Sequence, residues 1–307
     1  MKKNKLIGIL LVLIACIALL YPRTNTVHLA YMVDSNYLPY MMTSLHSATL
    51  NKNKSTHYKV HVIAEDFTKE DIEKLQKMNS ADVTVKIYPA QKINLDTTHL
   101  GRFASFKISL QKIYLSDYLQ DIDKVLYLDA DTLVLKDLSE VYQTPLKDYY
   151  LAAVKDGLMY QHPEHVAEIG LAERNFYFNS GVMLLNLKKM REDDTIRSAT
   201  IYFNTHQEVF GDQDVLNVVL GAKALPLSYR YNVNSTFFEE KPAEFLSEFY
   251  GEKIPDTPRE VYDNAAILHF AGHKPWTEWF THPYLKPLWQ TYNEKTIAKY
   301  NINHLHK

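Results

Sequence analysis

Asp129-Ala130-Asp131 follows the apolar run KVLYL and precedes TLVL. The D-x-D spacing itself occurs three times, at Asp121/Asp123, Asp129/Asp131 and Asp212/Asp214. Only the middle pair interrupts a strongly apolar strand pattern. Two carboxylates there face desolvation and mutual repulsion, which a divalent cation would relieve. Hard oxygen ligands suit Mg²⁺ or Mn²⁺ better than zinc. A strand that ends in a solvated acidic turn would show the same pattern.

Three further positions could complete such a site. Asp34 ends the first strand pattern in VDSNY, either on the rim shared with Asp129 or as a cap for the next helix. His269 closes the apolar run AAIL, where a neutral imidazole could be a third metal ligand or a hydrogen-bonded core group. Gly272 allows close backbone approach to a ligand. Lys274 offers a point charge suited to a phosphate. The pairs His57/His61 and His162/His165 have no acids converging on them in sequence and read as surface or packing residues.

These side chains must be positioned by alternating elements. VHLAYMV (27–33), YKVHVIAED (58–66), ADVTVKIYP (81–89) and KVLYLDADTLVL (124–135) read as strands. Helical spacing separates them over 37–50, in KEDIEKLQKM after a Thr68/Asp71 capping box, and over 106–119. The alternation predicts an α/β fold, Rossmann-like, with a mostly parallel mixed sheet flanked by helices. Ligands of such sheets bind at the carboxyl ends of strands, near a switch in strand order. Beyond residue 150 the pattern is less regular. YLAAVKD, SGVMLLNL and AAILHFAG are strand-like; LKKMREDDTIRSATIYFNTH, DQDVLNVVL and the closing stretch 283–301 are helical. The simplest reading is one catalytic domain over 24–307 with an irregular C-terminal half.

Composition narrows the function classes. The 307 residues are 46% hydrophobic and 23% charged, ordinary for a globular chain. Thirty-four Lys+Arg balance 36 Asp+Glu, so no basic field argues for nucleic acid. A single cysteine, Cys16, excludes an internal disulfide and a cysteine-built zinc site. Residues 6–20, LIGILLVLIACIALL, follow Lys2, Lys3 and Lys5 and read as a signal or membrane anchor. No clean small-x-small cleavage site follows, which favours an uncleaved anchor with residues 1–23 as tail plus span. The basic flank puts the N-terminus in the cytoplasm, a single-pass type II arrangement. Leu13-Ile14-Ala15-Cys16 is also similar to a bacterial lipoprotein box, although the apolar run continues past it. In a eukaryote the domain would be lumenal, in Golgi or ER. There Asn53-Lys54-Ser55 and Asn234-Ser235-Thr236 would be glycosylation sequons. In a bacterium it would be membrane-associated.

Five segments in order, AYMVDSNY, KVLYLDADTLV, FNSGVMLLNL, FGDQDVLN and HFAGHKPW, resemble glycosyltransferase family 8. That family includes glycogenin and lipopolysaccharide galactosyl- and glucosyltransferases. The resemblance implies a GT-A fold with a nucleotide-binding half over 24–150 and a donor-sugar/acceptor half over 151–307. It also implies a UDP-sugar donor, Mn²⁺ with Mg²⁺ as a possible substitute, and retention of anomeric configuration. In a bacterium the domain would then have to face the cytoplasm, where nucleotide sugars are. It implies that Asp129, Asp131 and His269 bind the metal, with Ala130 between them in the donor site. Ala30 and Asp34 would meet uracil and ribose. Asn179, Ser180 and Gly181 would form part of the donor-sugar and acceptor pocket. Gly272 and Lys274 would meet the diphosphate, and Asp212 and Gln213 would flank the anomeric carbon as the catalytic pair. Two positions depart from the pattern. Lys112, with Arg102 upstream, stands where many members carry an arginine, and the Gly272–Lys274 spacing, around His273, is one residue shorter than in some. The expected function is transfer of a hexose or xylose to a hydroxyl of a glycan, glycolipid or glycoprotein. The competing readings are a sugar-nucleotidyltransferase, which should carry an N-terminal glycine loop that VDSNYLPY lacks, and a catalytically silent, membrane-tethered carbohydrate-binding protein.

Overall fold

The computed structural model describes residues 25–93, 95–157, 159–172, 176–206 and 211–302. The apolar run 6–20, Phe210 of the FGDQDVLN segment and the last five residues lie outside them. Among the described residues no helix is long and apolar enough to cross a membrane.

The first half alternates as its pattern predicts. Strand β1 (Asn25–Asp34) is followed by helix α1 (Leu38–Asn51), β2 (Thr56–Glu65), helix α2 (Lys69–Gln76) and β3 (Val83–Pro89). The capping box forms: Thr68 Oγ1 accepts from Asp71 N at 3.2 Å, and Asp71 Oδ2 accepts from Thr68 N at 2.9 Å. The stretch expected as a helix over 106–119 lies mainly in a 3-10 helix, Thr98–Tyr114, ending in a short α turn, Leu115–Tyr118. Leu110, Ile113 and Ser116, three residues apart, are all buried, a spacing that three residues per turn stacks on one side.

The run KVLYLDADTLVL does not form one strand. It divides into β4 (Lys124–Leu128) and β5 (Thr132–Val134), in different sheets. The acidic pair sits where the chain leaves one sheet for the other. After β6 (Leu151–Lys155) and β7 (Phe178–Asn186), the predicted long helix is also divided. Leu187–Glu192 and α3 (Thr195–Thr205) are separated at Asp194, whose φ of 46° is left-handed. Helix α4 (Asp212–Leu220), β8 (Ala224–Pro226), β9 (Val233–Asn234), α5 (Ala243–Tyr250), β10 (Ile267–His269) and α6 (Leu285–Tyr300) complete the elements that matter here.

The main sheet has seven strands in the order β3-β2-β1-β4-β7-β6-β8. Only β7 runs antiparallel to its neighbours. The chain moves outward from β1 to β3, then returns to β1's other side at β4. That reversal makes the switch point at which α/β sheets bind ligands. A second sheet, β5-β10-β9, is built from the continuation of the D-x-D strand and the histidine strand. Alternate residues of β1 serve opposite layers. Val27, Leu29, Tyr31 and Val33 pack with Leu38, Met41 and Leu45 of α1, while Ala30 and Met32 pack with Leu110, Ile113 and Tyr127. The irregular C-terminal half has its own apolar cluster, including Leu133, Phe237, Phe238, Tyr262, Leu268, Phe270 and Trp289.

Candidate functional site

Backbone register brings the acidic pair and the histidine together. Strand β10 pairs antiparallel with β5, placing His269 opposite Thr132, and Phe270 N donates to Asp131 O at 3.0 Å. On the other side, Asp129 N donates to Gly181 O at 2.7 Å, extending the β4–β7 ladder. His269 Nε2 lies 3.3 Å from Asp131 Oδ1 and 3.8 Å from Asp129 Oδ2. One ligand atom from each of the three residues lies within 4.8 Å of the others. Two carboxylates and an imidazole lone pair converging at this range are a donor set that suits Mn²⁺ or Mg²⁺.

Two lysines hold the acids from opposite sides. Lys112 Nζ lies 3.0 Å from Asp129 Oδ1 and 2.9 Å from Asp212 Oδ2. It is fully buried; burial alone would lower its pKa, but the two carboxylates outweigh that and raise it. Lys274 Nζ is paired with Asp131 Oδ2 and donates to Phe270 O at 3.0 Å. Gly272, at φ 88°, makes the left-handed turn between His269 and that lysine. Burial pushes the Asp131 carboxyl up, but His269 and Lys274 overcome it and hold the group well below the usual carboxylate range. Tyr127 donates its hydroxyl to Asp129 Oδ1 at 2.6 Å. Burial first, then the Asp129 charge, push that phenol well up, so it stays a donor.

Asp212 and Gln213 open α4, facing the start of β7. Ser180 Oγ donates to Asp212 Oδ2 at 2.9 Å, and Ser180 N donates to Gln213 Oε1 at 2.9 Å. Asn217, one turn on, clamps Phe178 through both its backbone groups at 2.8 Å. Gln213 Nε2 and Asn179 Nδ2 both donate to Asp156 Oδ2, at 3.0 and 2.9 Å.

These groups surround a cavity of about 470 Å³, within the range of ligand pockets. Asp34, Lys112, Asp129, Ala130, Asp131, Ser180, Asp212, Gln213 and Lys274 line it. Asp34 therefore shares a rim with Asp129, and its Oδ1 also accepts from Tyr37 N at 2.9 Å, tying down the turn before α1. Ala30 does not line the cavity: it is fully buried on the same face of β1 as Met32, one layer behind. Asn179, Gly181, His269 and Gly272 do not line it either; His269 is buried and Gly272 is exposed. A wider cleft of about 850 Å³ lies at the β3 edge, along residues from Ala64 to Lys92. It contains none of these converging acids, which is why the smaller cavity is the candidate site.

The sequence pointed to most of the polar wall but not to Tyr127, nor to Asp156 and Asn232, which hold site residues without lining the cavity. Asp156 had a readable signal, since it ends the strand LAAVKD just as Asp34 ends β1. Asn232 lies in RYNVNS, which carries no pattern that points to a site.

General stress protein A of Bacillus subtilis (strain 168) is 27% identical over 279 residues, covering 85% of this chain and 91% of the relative. A lipopolysaccharide 1,2-glucosyltransferase of Escherichia coli (strain K12) is 29% identical over 273 residues, covering 86% and 76%. A crystal structure of the galactosyltransferase LgtC in complex with donor and acceptor sugar analogs superposes with a TM-score of 0.67 at 22% identity, covering 87% of this chain and 95% of that one. The architecture is thus that of the GT-A glycosyltransferases. The family model described as "Glycosyl transferase family 8" matches residues 28–280, from the first strand through the acid-and-histidine cluster, and the chain belongs to that family.

Proposed function

We propose that the protein is a metal-dependent transferase that moves a hexose or xylose from a UDP-sugar to a hydroxyl of a glycan, glycolipid or glycoprotein, with retention of anomeric configuration. One observation carries this reading. Asp129, Asp131 and His269 converge beside a cavity whose wall also presents Lys274, Asp34 and Gln213. A divalent ion held by those three residues supplies positive charge for the diphosphate leaving group. Lys274, paired with Asp131 in the same wall, adds an ammonium that would turn to a phosphate oxygen. Asp34, which shares the cavity wall with Tyr37, is assigned to the nucleoside by the family resemblance. Gln213 and Asp212 line the same cavity and are assigned to the anomeric carbon, where a carbonyl and a carboxylate would stabilise developing positive charge. Lys112 bridges Asp129 and Asp212 and offsets their charges. Retention is carried over from the family resemblance, as is the UDP moiety. The apolar run 6–20 is proposed to tether the enzyme to a membrane, supported by the sequence alone.

The test is a donor screen with purified protein, Mn²⁺ and each UDP-sugar, scored by UDP release. The expected result is one preferred donor, loss of turnover with chelator, and recovery with Mn²⁺. Chelator-insensitive turnover, or none with any UDP-sugar, would overturn the reading.

A further inference from the structure

A chain of side-chain hydrogen bonds links Asp156 to His269. Asp156 Oδ2 accepts from Asn179 Nδ2 at 2.9 Å. Asn179 Oδ1 accepts from the Gly181 backbone N–H at 3.0 Å and from Asn232 Nδ2 at 2.8 Å. Asn232 Oδ1 lies 2.9 Å from His269 Nδ1. Asn232 and His269 are both buried, so no solvent substitutes for these contacts.

The direction of every bond in this chain follows from its ends. A backbone N–H only donates, and a carboxylate only accepts. The carboxylate of Asp156 already takes three donors: Asn179, Gln213 Nε2 and the Met159 backbone N–H at 3.0 Å. Asn179 therefore has one possible orientation, with its carbonyl toward Gly181 and its amide toward Asp156. Turning it over would set amide against N–H and carbonyl against carboxylate. With Asn179 pinned, Asn232 must present its amide there and its carbonyl to His269. A carbonyl only accepts, so the ring proton of neutral His269 belongs on Nδ1. Its lone pair then sits on Nε2, the nitrogen that faces Asp131 and Asp129.

We propose that Asn232 is a positioning residue that fixes His269 as the Nδ1–H tautomer and so aims a lone pair at the acidic pair, with Asn179 and Asp156 setting its direction. This rests on reading Asp129, Asp131 and His269 as a divalent-cation site. The backbone supports the same alignment: Asn232 immediately precedes β9, whose Asn234 is in register with His269 on β10. Outer partners of metal-binding histidines typically change metal affinity by about 10–100-fold.

The experiment has two arms. Long-range ¹H–¹⁵N correlation on the metal-free protein assigns the His269 tautomer, using His269→Ala to identify its resonances. Mn²⁺ affinity is then measured by electron paramagnetic resonance without nucleotide, for wild type, Asn232→Leu and Asn232→Asp. The expected result is Nδ1–H in wild type and in Asn232→Asp, whose carboxylate still accepts. In Asn232→Leu the tautomer preference is lost and Mn²⁺ binds about 10–100-fold more weakly. A wild-type ring carrying its proton on Nε2 overturns the proposal, whatever the variants do. Unchanged Mn²⁺ affinity in Asn232→Leu also overturns it. If wild type shows the Nδ1–H tautomer but no Mn²⁺ binding, the cation-site reading is what fails.

Discussion

The imidazole of His269 packs directly on the backbone of Gly181. A side-chain carbon built on Gly181 would lie 2.1 Å from His269 Cε1, closer than atoms can approach. Residue 181 also sets the β4–β7 ladder beside Asp129. The glycine of the NSG segment is thus required by the volume of the histidine and not by its own backbone angles.

Gly181→Ala should therefore displace His269 while leaving the two aspartates in place. The expected cost is about 1–3 kcal/mol of stability, as for other overpacked cores. Weaker Mn²⁺ binding should accompany it. Urea unfolding and Mn²⁺ titration check both, and an alanine variant with wild-type values in each would contradict the packing argument.

Lys112 is the only cation within ion-pair distance of both Asp129 and Asp212 among the described residues. Lys112→Met removes the charge but keeps the bulk, leaving two carboxylates facing each other in a buried wall. Loss of one partner from a buried ionic cluster typically costs about 3–5 kcal/mol. Adding Asp212→Asn should recover part of that loss. A single variant as stable as wild type would show that the lysine's buried charge is not what holds the two acids.

Gln213→Ala should reduce turnover on the order of 10²-fold, the scale of losing one electrostatic stabiliser. Affinity for UDP should stay near wild type, because the glutamine is assigned to the anomeric carbon and is held by Ser180 and Asp156 rather than by any residue assigned to the nucleotide. Steady-state kinetics with separate UDP binding measurements distinguish the cases. Lost UDP affinity with unchanged turnover would reassign Gln213 to binding.

Stability should fall as pH drops from 6.5 toward 4. His46 and His61 are both buried, and each has its pKa lowered to about 4. Burial is the main cause, with Lys299 and Lys295 adding to it at His46, and His28, Lys86 and Lys59 at His61. The unfolded chain takes up these protons near pH 6.5, while the fold refuses them until about pH 4. Their contribution is therefore complete above pH 6.5 and lost as pH falls through that window. Each tenfold difference in proton affinity between fold and unfolded chain is worth about 1.4 kcal/mol. Solvent screening reduces this, and the two histidines together withdraw a few kcal/mol. Urea midpoints at pH 7.5, 6 and 5 should fall in order, and His46→Leu should flatten the slope. A level profile in wild type would contradict the assignment.

Much of this was legible in the residues. The order of strands and helices up to residue 118 follows from apolar runs, apolar period and caps, with β1 burying both its faces, one against each layer. The acidic pair could be picked out of three D-x-D matches because only it interrupts an apolar strand. What the pattern could not show was that the chain changes sheet at that point. KVLYL and TLV are equally apolar, and only the pairing of β5 with β10 separates them. Asn232 was invisible for a related reason. Its role depends on which amide atoms face Asn179 and His269, and those contacts span 53 and 37 residues of chain.

The most direct test is diffraction from crystals soaked in Mn²⁺ and a non-reacting UDP-sugar analogue, with data collected at the manganese absorption edge. The expected result is one anomalous peak coordinated by Asp129, Asp131 and His269, with Lys274 turned from Asp131 toward the diphosphate. A bound nucleotide with no ion between those three side chains, or an ion held elsewhere, would contradict it.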